Sequence, residues 1–231
     1  MRTSRDHVFS RSRQFRVTRE GEKVGKKKSN FLFNTIAPIY ALFYKSQKRS
    51  FRRVIARSEK DLDIGVFDTI LDVGCGTGAL CSVLFEKGLE VTGIDPAEKM
   101  LKFARRISGN RGIDFIRADV LETLPFANHT FDAAIASYVA HGLRADERKR
   151  MYKEMSRVSK KAVIIHDYNA NRSPMTSLIE WLERGDYFRF IRVAEQEMRH
   201  CVSDMEECFS EVRVINVDRR AAWYICTPKE T

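Results

Sequence analysis

The run Leu71-Asp72-Val73-Gly74-Cys75-Gly76-Thr77-Gly78 constrains this chain more than any other segment. It lies where a short apolar stretch, "TILDVG" (69–74), gives way to a helical pattern beginning at Ala79. Glycine is required at such a turn because the backbone must reverse tightly and let a ligand approach where a Cβ would intrude. The helix start beyond it presents unpaired N–H groups and the positive end of the helix dipole. The spacing is GxGxG led by an acidic residue. It departs from the GxGxxG of dinucleotide-binding turns, and the absence of GxxxxGK[ST] excludes a P-loop.

Alternation downstream reads as a βαβ protein. Strands are predicted at 69–74, 90–95, 113–119, 131–137 and 161–168. Helices are predicted at 79–87 (closed by Gly88), 97–107 and 145–159, the last with Asp146, Glu147, Arg148, Lys149 and Arg150 on or near its wet face. Residues 174–183 and 187–201 read as helical on either side of Gly185. The end, "EVRVINVDRRAAWYICTP", is two β-rich runs joined around Asp218, Arg219 and Arg220, which fits an antiparallel hairpin. The expectation is a Rossmann-like α/β fold: a mostly parallel seven-stranded sheet, an antiparallel C-terminal hairpin at one edge, and helices on both faces.

The net charge of +10 is unevenly placed. Residues 1–60 hold 17 Lys and Arg against 4 Asp and Glu, a surplus of +13, and the remainder nets −3. Residues 1–28 therefore read as a basic, disordered arm. Residues 29–62 carry an aromatic stripe, Phe31, Phe33, Ile36, Ile39, Tyr40, Phe43 and Tyr44, broken at Pro38. They read as an N-terminal helical lid or cap, either packed on the main domain or closing over a pocket. Residues 63–231 form the main domain. No apolar run reaches the roughly 18 residues that span a bilayer. No apolar core of a signal peptide follows the basic start. A cytoplasmic protein with no membrane span is expected. The five cysteines, Cys75, Cys81, Cys201, Cys208 and Cys226, form no CxxC pair and read as buried free thiols.

The DxGxGxG pattern resembles the class I S-adenosylmethionine-dependent methyltransferases, and three further matches fall in register. Asp95 ends the second strand in "VTGIDPAEKM", 19 residues after Gly76. Asp119 follows the third strand, and an "LPF…FD" run enters the fourth. The likeness covers roughly residues 50–168, and the hairpin matches by architecture. It implies S-adenosyl-L-methionine as cofactor. The implied binding residues are Asp72, Gly74, Cys75, Gly76 and Gly78 in the turn, Asp95 and Pro96 after the second strand, then Met100, Asp119, Val120 and Ser137. Asp72 and the backbone of Gly74 and Gly76 would hold the methionine part. Asp95 would accept from the ribose hydroxyls, Asp119 from the adenine amino group, and Val120 would pack on the ring. Met100 has two readings, over the adenine or ribose, or in the core with Phe103 and Ala104.

Methyl transfer from a sulfonium needs alignment and exclusion of water, and a general base only where the acceptor must lose a proton. The catalytic candidates are His141 and His166, at carboxyl ends of strands, and Tyr138, which the resemblance places near the reacting methyl. Each histidine is alternatively a hydrogen-bonded wall residue. No metal site is assigned, because His166 and Asp167 lack further ligands. Residues Ala136-Ser137-Tyr138-Val139-Ala140 are not the Asn/Asp-Pro-Pro-Tyr/Phe box of amino-group methylation, and no Pro-Cys nucleophile is present. "FNTIAPIYALFY" is loosely similar to the entry helix of the ubiquinone/menaquinone C-methyltransferase group. That points to a small-molecule acceptor, with Trp181, Tyr187 and Phe188 either lining its pocket or packing on the sheet. Two alternatives stand beside it: RNA or protein docked by the basic arm, and a non-catalytic cofactor-binding interaction protein. The acceptor and the atom methylated are not legible in the sequence.

Overall fold

The computed structural model describes residues 43–169, 201–219 and 221–229. Seven strands form one sheet: β1 (Thr69–Val73), β2 (Glu90–Ile94), β3 (Asp114–Ile116), β4 (Phe131–Ser137), β5 (Ser159–Tyr168), β6 (Phe209–Asn216) and β7 (Ala221–Pro228). Their order is β3-β2-β1-β4-β5-β7-β6. The first five are parallel, and β7 is antiparallel to both β5 and β6. The C-terminal hairpin thus closes one edge, as the sequence implies. Strand order reverses at β1, which has β2 on one side and β4 on the other. In open α/β sheets the crevice at such a reversal, beyond the carboxyl ends of the strands, is where ligands bind.

Burial on both sides explains the unbroken apolar runs of the parallel strands. Successive residues point to opposite faces, so Ile70 and Leu71 belong to different cores, as do Ile164 and Ile165. One face is covered by the helix over residues 43–58 (α1), by α2 (Ala79–Glu86) and by the inner side of α3 (Glu98–Arg106). There Val54, Ile55, Leu80, Leu84 and Leu101 meet Ile70, Ile135, Ile164 and Trp223. The other face carries α4 (Ala145–Val158) and a helix described over residues 201–208 (α5). Its core joins Leu71, Val73 and Val163 to Met151, Tyr152, Met155, Cys201 and Met205.

Several particulars differ from expectation. β3 stops at Ile116, because as the edge strand it pairs only with Thr92–Ile94 of β2, and β2 ends there. Residues 201–208 are helical, past the predicted end at Cys201, since Cys201, Met205 and Cys208 form a buried stripe at helical spacing. Arg148 is not on the wet face of α4: it is 1% exposed, and its Nη1 donates to Leu143 O at 2.6 Å. All five cysteines are buried free thiols. Of the predicted lid, α1 is packed rather than loose. Lys48 and Arg52 pair with Glu86 of α2 at 2.6 Å, and Tyr44 donates to Asn110 Oδ1 at 3.2 Å. Residues 1–28, most of the aromatic stripe, and Trp181, Tyr187 and Phe188 lie outside the described residues.

Candidate functional site

The glycine turn leaves β1 in left-handed backbone: Gly74, Gly76 and Gly78 have φ of 71°, 54° and 74°. A Cβ on Gly74 would stand 2.6 Å from Val139 Cγ2, whereas one on Gly76 would meet nothing within 4 Å. The first position is closed by β4's following loop, and the second opens outward. Four of the turn's donors are engaged internally. Gly74 and Cys75 N–H both donate to Ile94 O (2.8 and 3.0 Å), Gly76 N–H to Asp95 Oδ2 (2.9 Å), and Gly78 N–H to Cys75 O (2.9 Å). Any part that the backbone of Gly74 or Gly76 plays toward a ligand therefore falls to the carbonyl.

Two carboxylates flank the turn. Asp95 also accepts from Ala97 N–H at 2.7 Å, so one side chain ties the ends of β1 and β2 to the start of α3. Burial, helped by the charge of Asp119, raises its pKa to about 6 against the pull of the two N–H donors. Asp72 is 1% exposed and accepts from the Cys81 thiol at 3.0 Å. No cation among the described residues pairs with it. Burial raises it to about 7, with Asp95 adding repulsion and the thiol opposing. Asp119 accepts from Leu121 N–H at 3.0 Å, and Val120 beside it is buried. Pro96 gives its carbonyl to Arg117, and Met100 packs with Ala97 and Phe103 in a small cluster of its own.

At the carboxyl ends of β4 and β5 the register sets Ser137 beside His166 and His166 beside Trp223. Ser137 Oγ lies 2.7 Å from His166 Nδ1, and burial drives the His166 pKa down to about 4. Its Nε2 and Trp223 Nε1 are buried and have no partner among the described residues. Tyr138 sits at φ 55°, unusual for a residue with a Cβ, and its N–H donates to His166 O at 2.8 Å. The ring of Tyr138 lies 4.8 Å from that of His166 and 5.4 Å from that of Tyr168. His141 closes this row, 5.0 Å from Tyr168.

His166 and Asp167 cannot share a ligand, since alternation sends them to opposite faces of β5. His166 faces Ser137 and Phe51, and Asp167 faces His141. Sequence reasoning named both histidines but missed the pairing of His141 with Asp167 and the place of Tyr168 in the row. The period-two pattern of β5 was the available signal.

Residues 71–165 match the family model of the methyltransferase domain. Residues 71–165 are a methyltransferase domain, and its sheet has the class I fold. The cofactor of that domain is S-adenosylmethionine. A demethylmenaquinone methyltransferase from Paenarthrobacter aurescens is 33% identical over 134 residues, 56% of this chain and 49% of that protein. An uncharacterized methyltransferase from Alkaliphilus oremlandii is 25% identical over 216 residues, covering 87% and 97%. The chain spans only 27% to 53% of the length of three of the curated relatives it matches, the Paenarthrobacter protein among them. In fold, the methyltransferase domain is similar to human N-acetylserotonin methyltransferase solved with S-adenosylmethionine. The TM-score is 0.62 at 15% identity, covering 82% of this chain and 56% of that one.

Proposed function

We propose that this protein transfers the methyl group of S-adenosylmethionine to a small-molecule acceptor by in-line displacement. The observation that carries the reading is the carboxylate pair about the glycine turn. Asp72 is a buried acid without a counter-cation among the described residues, and Asp95 is an acid fixed by two N–H donors at the mouth of the crevice. The cofactor brings an ammonium and two vicinal hydroxyls, and these residues fit it. A cation beside Asp72 relieves its desolvation. Each Asp95 oxygen already holds one N–H and retains a second lone pair for a hydroxyl.

In this reading the cofactor supplies a methyl carbon already activated by positive sulfur. Asp72 and the Gly74 carbonyl hold the ammonium, Asp95 orients the ribose, and Asp119 with Val120 receives the adenine. Cys75, Gly76, Gly78, Pro96 and Met100 shape the walls, and Ser137 stands near the reacting carbon. Tyr138, His141 and His166 face the acceptor and exclude water from it. Free thiols throughout the described residues suit the cytoplasm. No helix among the described residues is long and apolar enough to cross a membrane.

The test is incubation with S-adenosylmethionine labelled on its methyl group and a cell extract, followed by separation of lipid, small-molecule, RNA and protein fractions. Label in the lipid or small-molecule fraction supports this reading. Label in RNA or protein would instead give the +13 of residues 1–60 a docking role, and that transfer should weaken steeply with salt.

A further inference from the structure

We propose that Asp167 is a positioning residue for His141, and that the acceptor is one that loses a proton as it is methylated. This rests on the methyl-transfer reading above. Asp167 is 0% exposed, and its two oxygens are fully directed. Oδ1 stands 2.9 Å from His141 Nδ1 and accepts from Tyr168 N–H at 2.9 Å, while Oδ2 accepts from His141 N–H at 3.2 Å. The aspartate thus holds both the ring and the backbone of the same histidine. A carboxylate accepts and does not donate, so Nδ1 carries the ring proton and Nε2 keeps its lone pair. Around the loop, Arg148 holds Leu143 O from below, and the Tyr168 ring packs edge-on against the imidazole at 5.0 Å. His141 is therefore fixed in position, orientation and tautomer at the carboxyl ends of β4 and β5.

His166 is unsuited to the same task. Its Nδ1 is committed to Ser137, and its burial disfavours the protonated ring. Of the two histidines, His141 is the one arranged to take a proton. A bond forms between the acceptor atom and the methyl carbon while the carbon–sulfur bond breaks. The electron pair of the broken bond stays on sulfur, which becomes a neutral thioether. The proton of the acceptor atom passes to His141 Nε2, leaving an imidazolium beside Asp167. Such an arrangement serves a hydroxyl, a thiol, a ring N–H or an acidic C–H. It has no purpose for a tertiary amine or a thioether, which carry no proton to lose.

The test uses the full chain labelled with ¹⁵N-histidine and saturated with S-adenosylmethionine. Long-range ¹H–¹⁵N spectra report the tautomer of each neutral ring. His141 is expected as the Nδ1–H form in the wild type. It should relax toward the Nε2–H form in Asp167→Ala. Methyl transfer to the small-molecule fraction of a cell extract should fall at least tenfold in Asp167→Ala, general bases contributing ~10²–10⁴. The cofactor dissociation constant should change less than about twofold in Asp167→Ala. A purely structural role for Asp167 would leave the tautomer unmoved, and that result overturns the inference. If Asp167→Ala does not fold, the wild-type spectrum decides alone, and an Nε2–H ring at His141 overturns the proposal. Failure of the wild type to bind S-adenosylmethionine in calorimetry overturns the methyl-transfer reading and this inference with it. A bound cofactor with the wrong tautomer overturns only the inference.

Discussion

Replacing Asp72 by Asn separates two consequences of one buried carboxylate. In the folded chain this group is raised from its ordinary 3.8 to about 7, chiefly by burial. The unfolded chain ionises it near its ordinary value, so the fold must either hold it neutral or bury its charge. A raised folded pKa means that the group's contribution to stability is whole below the unfolded value and is lost as pH rises toward 7. At ~1.4 kcal/mol per decade, that loss amounts to on the order of 4 kcal/mol by about pH 7.5. Asn keeps an oxygen for the Cys81 thiol, which donates to Asp72 at 3.0 Å, and does not titrate. In urea unfolding followed by tryptophan fluorescence, without cofactor, Asp72→Asn should therefore gain on the wild type as pH rises. The gain from about pH 4 to about pH 7.5 should be on the order of 4 kcal/mol. Under saturating S-adenosylmethionine the order should reverse, because the ammonium has lost its carboxylate. A stability difference that stays constant across this pH range would refute the argument that Asp72 is a desolvated acid awaiting a cation.

Other outcomes follow from the same geometry. Asp95→Ala removes the acceptor of Gly76 and Ala97 N–H as well as that of the ribose. Hydrogen bonds to a charged group are worth about 1.5–3 kcal/mol each, so calorimetry should show cofactor affinity falling at least tenfold. Gly74→Ala forces a methyl to 2.6 Å from Val139 Cγ2 at φ 71° and should cost about 1–3 kcal/mol in unfolding, part of it recovered by adding Val139→Ala. Gly76→Ala meets open space and should cost only about 1–2 kcal/mol of backbone strain, while weakening cofactor binding. Deleting residues 1–28 should leave cofactor affinity unchanged in calorimetry, since the residues about the turn lie elsewhere in the chain.

Much of this fold was legible because parallel strands buried on both faces leave unbroken apolar runs, as in "TILDVG" and "FDAAIAS". The turn was legible because its three glycines are needed in left-handed backbone. Less legible were features set by partners distant in sequence. Arg148 was counted with its charged neighbours, yet it sits three, four and seven residues before Met151, Tyr152 and Met155, on their buried stripe. Charge alone does not mark the wet face when a carbonyl such as Leu143 O receives the guanidinium. The His141–Asp167 contact joins a loop after β4 to the end of β5, 26 residues on. No spacing rule predicts it, although strand alternation already separates Asp167 from His166. The engagement of the Gly74 and Gly76 N–H groups within the protein was likewise invisible until Ile94 O and Asp95 were placed against them.

The most direct test of the central claim is isothermal titration of the full chain with S-adenosylmethionine, with NAD as the comparison ligand. The geometry about Asp72 and Asp95 predicts one cofactor bound per chain, NAD without heat, and affinity lost in Asp95→Ala. A folded protein that binds no S-adenosylmethionine, or binds it equally well without the Asp95 carboxylate, would contradict the assignment of this site.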